Sequence, residues 1–477
     1  MKAHLSLILV WLLSLTTNHA AQKPNILFIL TDDHAYNTLG SYGNNVVKTP
    51  VMDTLAQQGT RFTHAYNSGA WRSGMCLPSR TMMMTGLQLW DAADTASSKD
   101  LRENFISKQL FFPQLMNQAG YETYFSGKWH IGNNDSSLVH DSFDNVINIR
   151  PNMPSAKGSY NRPKPGKPDP WDPTDPKFGG FYKGGKHWSE VLADDGITFI
   201  KQASKKKRPF MIYLCFNAPH DPRQSPQQYQ DLYKLEDIQV PQPFYPQNPH
   251  LETMGLKGMR DEKTAPMPRS EYALRVNRKE YYALISHTDA QIGRVLNALD
   301  AHGLASNTLV VLTSDHGLAC GHHGLMGKQN MYEHSLRAPW IIKGPNIPSG
   351  KTFDTPIYLQ SAMTTILDAA GAPIPKHVAF ESVLPIINNP KLQKDKPIYG
   401  AFLNKQRMVK TKNFKLIWYP KDDIELLFDL QKDPKEITNL SQNPQYASQL
   451  DAMRQLLNQQ MQSMKDPLVT NKPLPNK

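Results

Sequence analysis

The sequence predicts an α/β fold: a large, mostly parallel sheet sandwiched by helices, followed by a small C-terminal unit of antiparallel sheet plus helix. Three observations carry this. Four short apolar runs each stop at a polar cluster, helical periodicity fills the stretches between them, and from about Asp395 the texture changes to short, closely spaced strands. Continuous apolar runs read as strands buried on both faces, the habit of parallel sheets. Alternation of such strands with helices implies right-handed crossovers.

At the N-terminus, Met1-Lys2-Ala3-His4 precedes an apolar run over 5–13, then polar residues and Ala20-Ala21. This charged, apolar, small-residue order reads as a secretory signal peptide over 1–21. The run is too short for the roughly 20 residues a membrane span needs. The mature chain is therefore expected to be exported, periplasmic or secreted, without stable membrane insertion. Three cysteines in 477 residues make no disulfide scaffold. The net charge of +11 suits a polyanionic partner, nucleic acid or sulfated polysaccharide. No nucleic-acid-binding module is found in the chain.

The four runs follow in order. Residues 25–30 end in Thr31-Asp32-Asp33-His34, and 121–126 end in Gly127-Lys128-Trp129-His130. Residues 210–216 end in Asn217-Ala218-Pro219-His220-Asp221, and 308–312 end in Thr313-Ser314-Asp315-His316. Between them, 111–119 (closed by Gly120), 189–201 and 279–301 carry helical spacing of apolar residues. In such sheets ligands bind beyond the carboxyl ends of the strands. Those ends carry Asp32, Asp33, Lys128, His130, His220, Asp315 and His316. Solvated turns would favour Gly, Pro, Asn and Ser instead. Asp32, Asp33 and Asp315 form a hard oxygen set of the kind calcium or magnesium prefers.

Cys76 reaches the same layer by another route. In Cys76-Leu77-Pro78-Ser79-Arg80, Pro78 suits a first helical turn, which predicts a helix from Arg80 onward with Cys76 just outside its N-terminus. The positive end of that helix would favour negative charge on an attacking oxygen.

Cys76 to Arg80, followed by Thr81-Met82-Met83-Met84-Thr85-Gly86, resembles the signature of the type I, formylglycine-dependent sulfatases. So do residues 25–33, Gly127-Lys128-Trp129-His130, Ala218-Pro219-His220, Ser314-Asp315-His316-Gly317 and Gly324-Leu325-Met326-Gly327-Lys328, in family order. The resemblance implies an alkaline-phosphatase-like fold and a bacterial carbohydrate sulfatase. It implies that a formylglycine-generating enzyme oxidises Cys76 to formylglycine in the unfolded chain. One hydroxyl of the hydrated aldehyde attacks sulfur, and the other expels sulfate; a plain thiol would be left covalently sulfated. By the same resemblance Asp32, Asp33, Asp315 and His316 join the modified Cys76 around one calcium ion. Many relatives carry asparagine where His316 stands, and a histidine ligand is softer than a carbonyl. Arg80 would orient the formylglycine, Lys128 and Lys328 would grip sulfate oxygens, His220 would protonate the leaving alcohol, and His130 would act as the base that releases sulfate.

Residues 22–394 would then form the catalytic domain and 395–477 the small α+β domain. Within the first, 150–185 and 233–275 are rich in Pro and basic residues and read as long loops. Trp171, Phe178, Phe181 and Tyr182 in the first loop would suit stacking on sugars. The expected reaction is hydrolysis of sulfate esters of a polysaccharide or its oligosaccharides, with ulvan, carrageenan and glycosaminoglycans all open. A phosphate or phosphonate ester hydrolase of the same superfamily would want more His and Asp ligands. A silent polysaccharide-binding protein would have lost Cys76, Arg80 or a metal aspartate, and all are present.

Overall fold

The strand Asn25–Thr31 is wholly buried because its side chains alternate between two cores. Ile26, Phe28 and Leu30 enter one, Leu27 and Ile29 the other. The computed structural model describes residues 23–151, 156 and 158–470. The predicted signal peptide lies outside the described residues. No described helix is long and apolar enough to cross a membrane.

The main sheet has eight strands, ordered Lys351–Phe353, Thr60–Phe62, Trp340–Lys343, Thr308–Ser314, Asn25–Thr31, Phe210–Cys215, Glu122–Lys128 and Asn145–Arg150. Trp340–Lys343 alone runs against the rest. The four strands read from the sequence are consecutive neighbours at the centre, all parallel. Helices Phe112–Gln118 and Ser361–Ala369 cover one face. Helices Pro50–Gln58, Trp188–Ala203 and the 31-residue Glu271–Ala301 cover the other. The last begins eight residues before its predicted start, at the cap supplied by Ser270, whose hydroxyl accepts from the Ala273 N–H. The two turns this adds bury Ala273 and Leu274, so the apolar face extends upstream of the predicted start.

The C-terminal sheet contains the expected antiparallel strands Ile398–Phe402, Gln406–Lys410, Phe414–Tyr419 and Ile424–Asp429. A fifth strand, Gly69–Ala70, comes from far upstream and pairs in parallel with Ile398–Phe402. Gly69 is required there: its φ is +100°, and a Cβ would sit 1.8 Å from the Ala401 carbonyl oxygen. Helix Ala447–Ser463 packs Leu450, Met453, Leu457 and Met461 onto this sheet, in one cluster with Leu77 and Met82. The C-terminal sheet thus buttresses the helix that carries Cys76.

Candidate active site

The carboxyl ends of the four central strands deliver the site. Asp32 and Asp33 follow Asn25–Thr31, Lys128 closes Glu122–Lys128, His220 follows Phe210–Cys215, and Asp315 and His316 follow Thr308–Ser314. Asp33 and His130 hold φ of 62° and 55°, a left-handed conformation that costs energy and concentrates at functional sites. Gly127 lets the edge of its strand approach its neighbour; a Cβ there would lie 2.0 Å from the Cys215 carbonyl oxygen.

One expectation is corrected. Cys76 is the first residue of helix Cys76–Thr85 and not outside it, because the helix begins four residues before Arg80, its first turn closed by Ser79 N–H to Met75 O at 3.2 Å. Its Sγ lies 3.4 Å from Asp32 Oδ1, 3.2 Å from His316 Nε2 and 3.6 Å from Lys328 Nζ. Ligand atoms of Asp32, Asp33, Cys76 and His316 all fall within 4.8 Å of one another. Asp315 adjoins them: its Oδ1 is 3.5 Å from His316 Nε2 and accepts the Asp33 N–H at 3.3 Å.

Three cations surround the three carboxylates. Arg80 donates Nε to Asp315 Oδ2 at 3.0 Å and Nη1 to the Lys128 carbonyl at 2.8 Å, with Nη2 3.5 Å from Asp32. Lys128 pairs with Asp32, and Lys328 with Asp33 at 2.7 Å. All six are buried. Burial pushes the Asp32 carboxyl up, but the Lys128 and Arg80 charges outweigh it and hold the group well below its usual range. Burial raises Asp33 well above that range, opposed by Lys328 and reinforced by Asp32, Asp261 and Asp315. Burial and the Asp32 charge push the Cys76 thiol well up, so the unmodified side chain is a thiol and a poor nucleophile.

The histidines fall in two places. His220 Nε2 is 3.8 Å from Asp33 Oδ2, while Nδ1 is 2.7 Å from the Asp221 carbonyl oxygen. Burial, then the Lys328 and Lys128 charges, lowers its pKa well below the usual imidazole range. His130 is half-buried two residues beyond Lys128, and burial with the Lys128 and Arg80 charges lowers its pKa. His322 and His323 gather elsewhere: His323 stacks on Tyr332 at 4.1 Å and lies 3.2 Å from His334.

The long loops behave differently from expectation. Trp171, Phe181 and Tyr182 are buried, so these rings pack the loop and are not presented to sugars. The loops instead contribute polar residues that the sequence reading missed. Tyr160 donates to Asp221 Oδ2 at 2.6 Å, Arg260 Nη2 lies 3.3 Å from His220 Nε2, and Asp261 is 3.9 Å from Lys328 Nζ. Asp221 directly follows His220 and was legible as its neighbour; Tyr160, Arg260 and Asp261 sit in segments without a motif.

Buried carboxylates interleaved with lysines, arginine and histidine, at the strand ends of a mixed sheet, define a hydrolase of oxyanion esters on the alkaline-phosphatase-like fold. The chain belongs to the Sulfatase family, whose pattern it matches over residues 24–372, and is a sulfuric ester hydrolase. Residues 321–463 also match the C-terminal region of N-sulphoglucosamine sulphohydrolase. Among curated relatives, an N-acetylglucosamine-6-O-sulfatase of Bacteroides thetaiotaomicron is 27% identical over 520 residues, covering 93% of this chain and 87% of that one. An ulvan-active sulfatase of Formosa agariphila is 26% identical over 468 residues, covering 93% and 82%. A solved structure of an enzyme with its substrate D-glucosamine-2-N,6-O-disulfate superimposes with a TM-score of 0.69 at 25% identity, covering 93% of this chain and 99% of that one.

Proposed function

We propose that the chain is an exported carbohydrate sulfatase that hydrolyses sulfate esters of a polysaccharide or its oligosaccharides, with residue 76 converted to formylglycine and one calcium ion bound. The observation that carries this is the meeting of Cys76 with Asp32, Asp33 and His316 within 4.8 Å, ringed by Arg80, Lys128 and Lys328. The relatives named above act on sulfated carbohydrates, and the chain's net charge of +11 suits such polyanions.

The donor set fits both groups. Three buried aspartates crowd their charges, and a hard divalent cation would offset them with Asp32, Asp33, Asp315, His316 and residue 76 as its ligands. Such an ion would supply Lewis acidity toward a sulfate oxygen. A hydrated formylglycine would supply one hydroxyl to attack sulfur and a second through which sulfate leaves. Cys76 is 2% exposed within a helix, so a formylglycine-generating enzyme would have to reach it before folding.

The chain's own residues take the remaining tasks. Arg80, fixed by Asp315 and the Lys128 carbonyl, orients residue 76. Lys128 and Lys328 hold sulfate oxygens and stabilise charge that grows on them in the transition state. His220, protonated on both nitrogens with Nδ1–H held by the Asp221 carbonyl oxygen, gives its Nε2 proton to the leaving alcohol oxygen, and His130 takes one from the second hydroxyl. The signal peptide over 1–21 would direct export.

The test is sulfate release from defined sulfated oligosaccharides and an aryl sulfate, with enzyme co-expressed with a formylglycine-generating enzyme and Cys76→Ala as control. Release from one sugar class, lost in the control, is expected. Turnover of phosphate or phosphonate esters alone, or none despite verified conversion of Cys76, would overturn the proposal.

A further inference from the structure

Arg260, in the loop that precedes helix Glu271–Ala301, is where that loop meets the reacting centre. Its Nη2 lies 3.3 Å from His220 Nε2 and 3.6 Å from Asp221 Oδ1, and it pairs with Asp261. The Arg260 side chain is 36% exposed, against 3% for His220, 2% for Lys328 and 1% for Asp33. It therefore stands at the mouth, a cation that reaches both the buried cluster and solvent.

Its position is held on both sides of the backbone. The Asp261 carboxylate accepts from Gln329 Nε2, and the Glu262 carboxylate accepts the N–H groups of Met326 at 3.0 Å and Gly327 at 2.8 Å. Arg269 completes this anchor with a bond to Glu262 at 2.6 Å. The loop is thus tied to the segment that carries Lys328, and Arg260 is placed before any ligand arrives. Preorganisation of this kind lowers the entropy lost on binding.

All three contacts of Arg260 use Nη2. Nε and Nη1 have no hydrogen-bond partner among the described residues, so their N–H groups remain as donors for a ligand. Those donors suit an oxygen of a carboxylate or sulfate, which accepts a charge-assisted hydrogen bond from either. The atom next to the fork is His220 Nε2, where the proposed function puts the leaving alcohol oxygen. Substituents on the carbons beside that oxygen come within reach of Arg260.

We infer that Arg260 is a specificity-determining residue that binds a second anionic group, sulfate or carboxylate, on the sugar that carries the scissile sulfate or on its neighbour. This rests on the reading of the site as a carbohydrate sulfatase. A role confined to packing Asp221 and Asp261 would instead slow all substrates alike.

The test uses matched probes and the full, converted enzyme. D-Glucosamine-6-O-sulfate is compared with D-glucosamine-2-N,6-O-disulfate and with a uronate-bearing disaccharide of the same 6-O-sulfate. Parallel pairs are drawn from ulvan and carrageenan oligosaccharides. Wild-type enzyme should favour the members carrying the extra anion; which pair shows the preference identifies sulfate or carboxylate. Arg260→Gln should lower the ratio of kcat/KM, dianionic over monoanionic, about tenfold or more, the scale of one lost charged hydrogen bond. Arg260→Lys should restore part of it, and thermal unfolding of both variants checks that they fold. If no probe in any series is cleaved, the carbohydrate sulfatase reading falls and this inference with it. If probes are cleaved without preference for the extra anion, or with a preference that Arg260→Gln leaves unchanged, only the role of Arg260 falls.

Discussion

Arg80 and Asp315 share a buried bond, Nε to Oδ2 at 3.0 Å, that joins the helix bearing Cys76 to the central strand Thr308–Ser314. Both side chains are at most 1% exposed, and Arg80 also holds the Lys128 carbonyl. Removing one partner of such a pair leaves the other charged and unsolvated. Arg80→Met should therefore cost about 3–5 kcal/mol of stability as well as activity. The midpoint of denaturant unfolding measures it, and an unchanged midpoint would show that the pair contributes no net stability.

Burial of Cys76 sets an order of events. Purified, folded, unconverted enzyme incubated with a formylglycine-generating enzyme should keep its cysteine, whereas co-expressed enzyme should carry the aldehyde. The mass of the peptide containing residue 76 distinguishes the two. Efficient conversion of the folded protein would mean that helix Cys76–Thr85 opens readily.

Three aspartates crowded in one buried site should make stability depend on calcium. Added calcium should raise the unfolding temperature of chelated protein, gaining about 1.4 kcal/mol for each tenfold excess over Kd. Asp33→Asn should flatten that dependence. A calcium response identical in the variant would remove Asp33 from the ligand set.

The histidines away from the site predict an acid limb. Burial lowers His323 to about 4, opposed by its bond to the Glu436 carbonyl oxygen and the charge of Asp433, and aided by Lys415. Between its ordinary value near 6.5 and about 4, the unfolded chain binds a proton that the folded chain refuses. Stability is thus untouched by this group above about 6.5 and falls as pH drops through the window, by at most about 3 kcal/mol. His323→Gln should shallow that slope in thermal unfolding between pH 4 and 6.5, while an unaltered slope would assign it to other groups, such as His322 and His334.

The strand ends were legible because a buried parallel strand is a continuous apolar run, and a polar residue ends it abruptly. Asp32, Asp33, Lys128, His220, Asp315 and His316 could be placed in one layer on that ground. Helix 279–301 was legible and the two turns before it were not, although they bury Ala273 and Leu274, because residues up to 275 lie in a stretch whose Pro-rich, basic composition reads as loop. Trp171, Phe181 and Tyr182 were misread because composition does not distinguish a ring facing a ligand from a ring filling the underside of a loop.

What the sequence by itself determined is the residue chemistry and its layer: apolar periodicity sets the strands, strand polarity sets which ends converge, and the Cys76 segment names the family it resembles. Tertiary structure alone decided who touches whom. It added Gly69–Ala70 to the C-terminal sheet, brought Lys328 to Asp33, and set Arg260 beside His220 across 40 residues of chain. Such contacts depend on loops whose paths follow from packing against distant elements, and no local pattern encodes that distance.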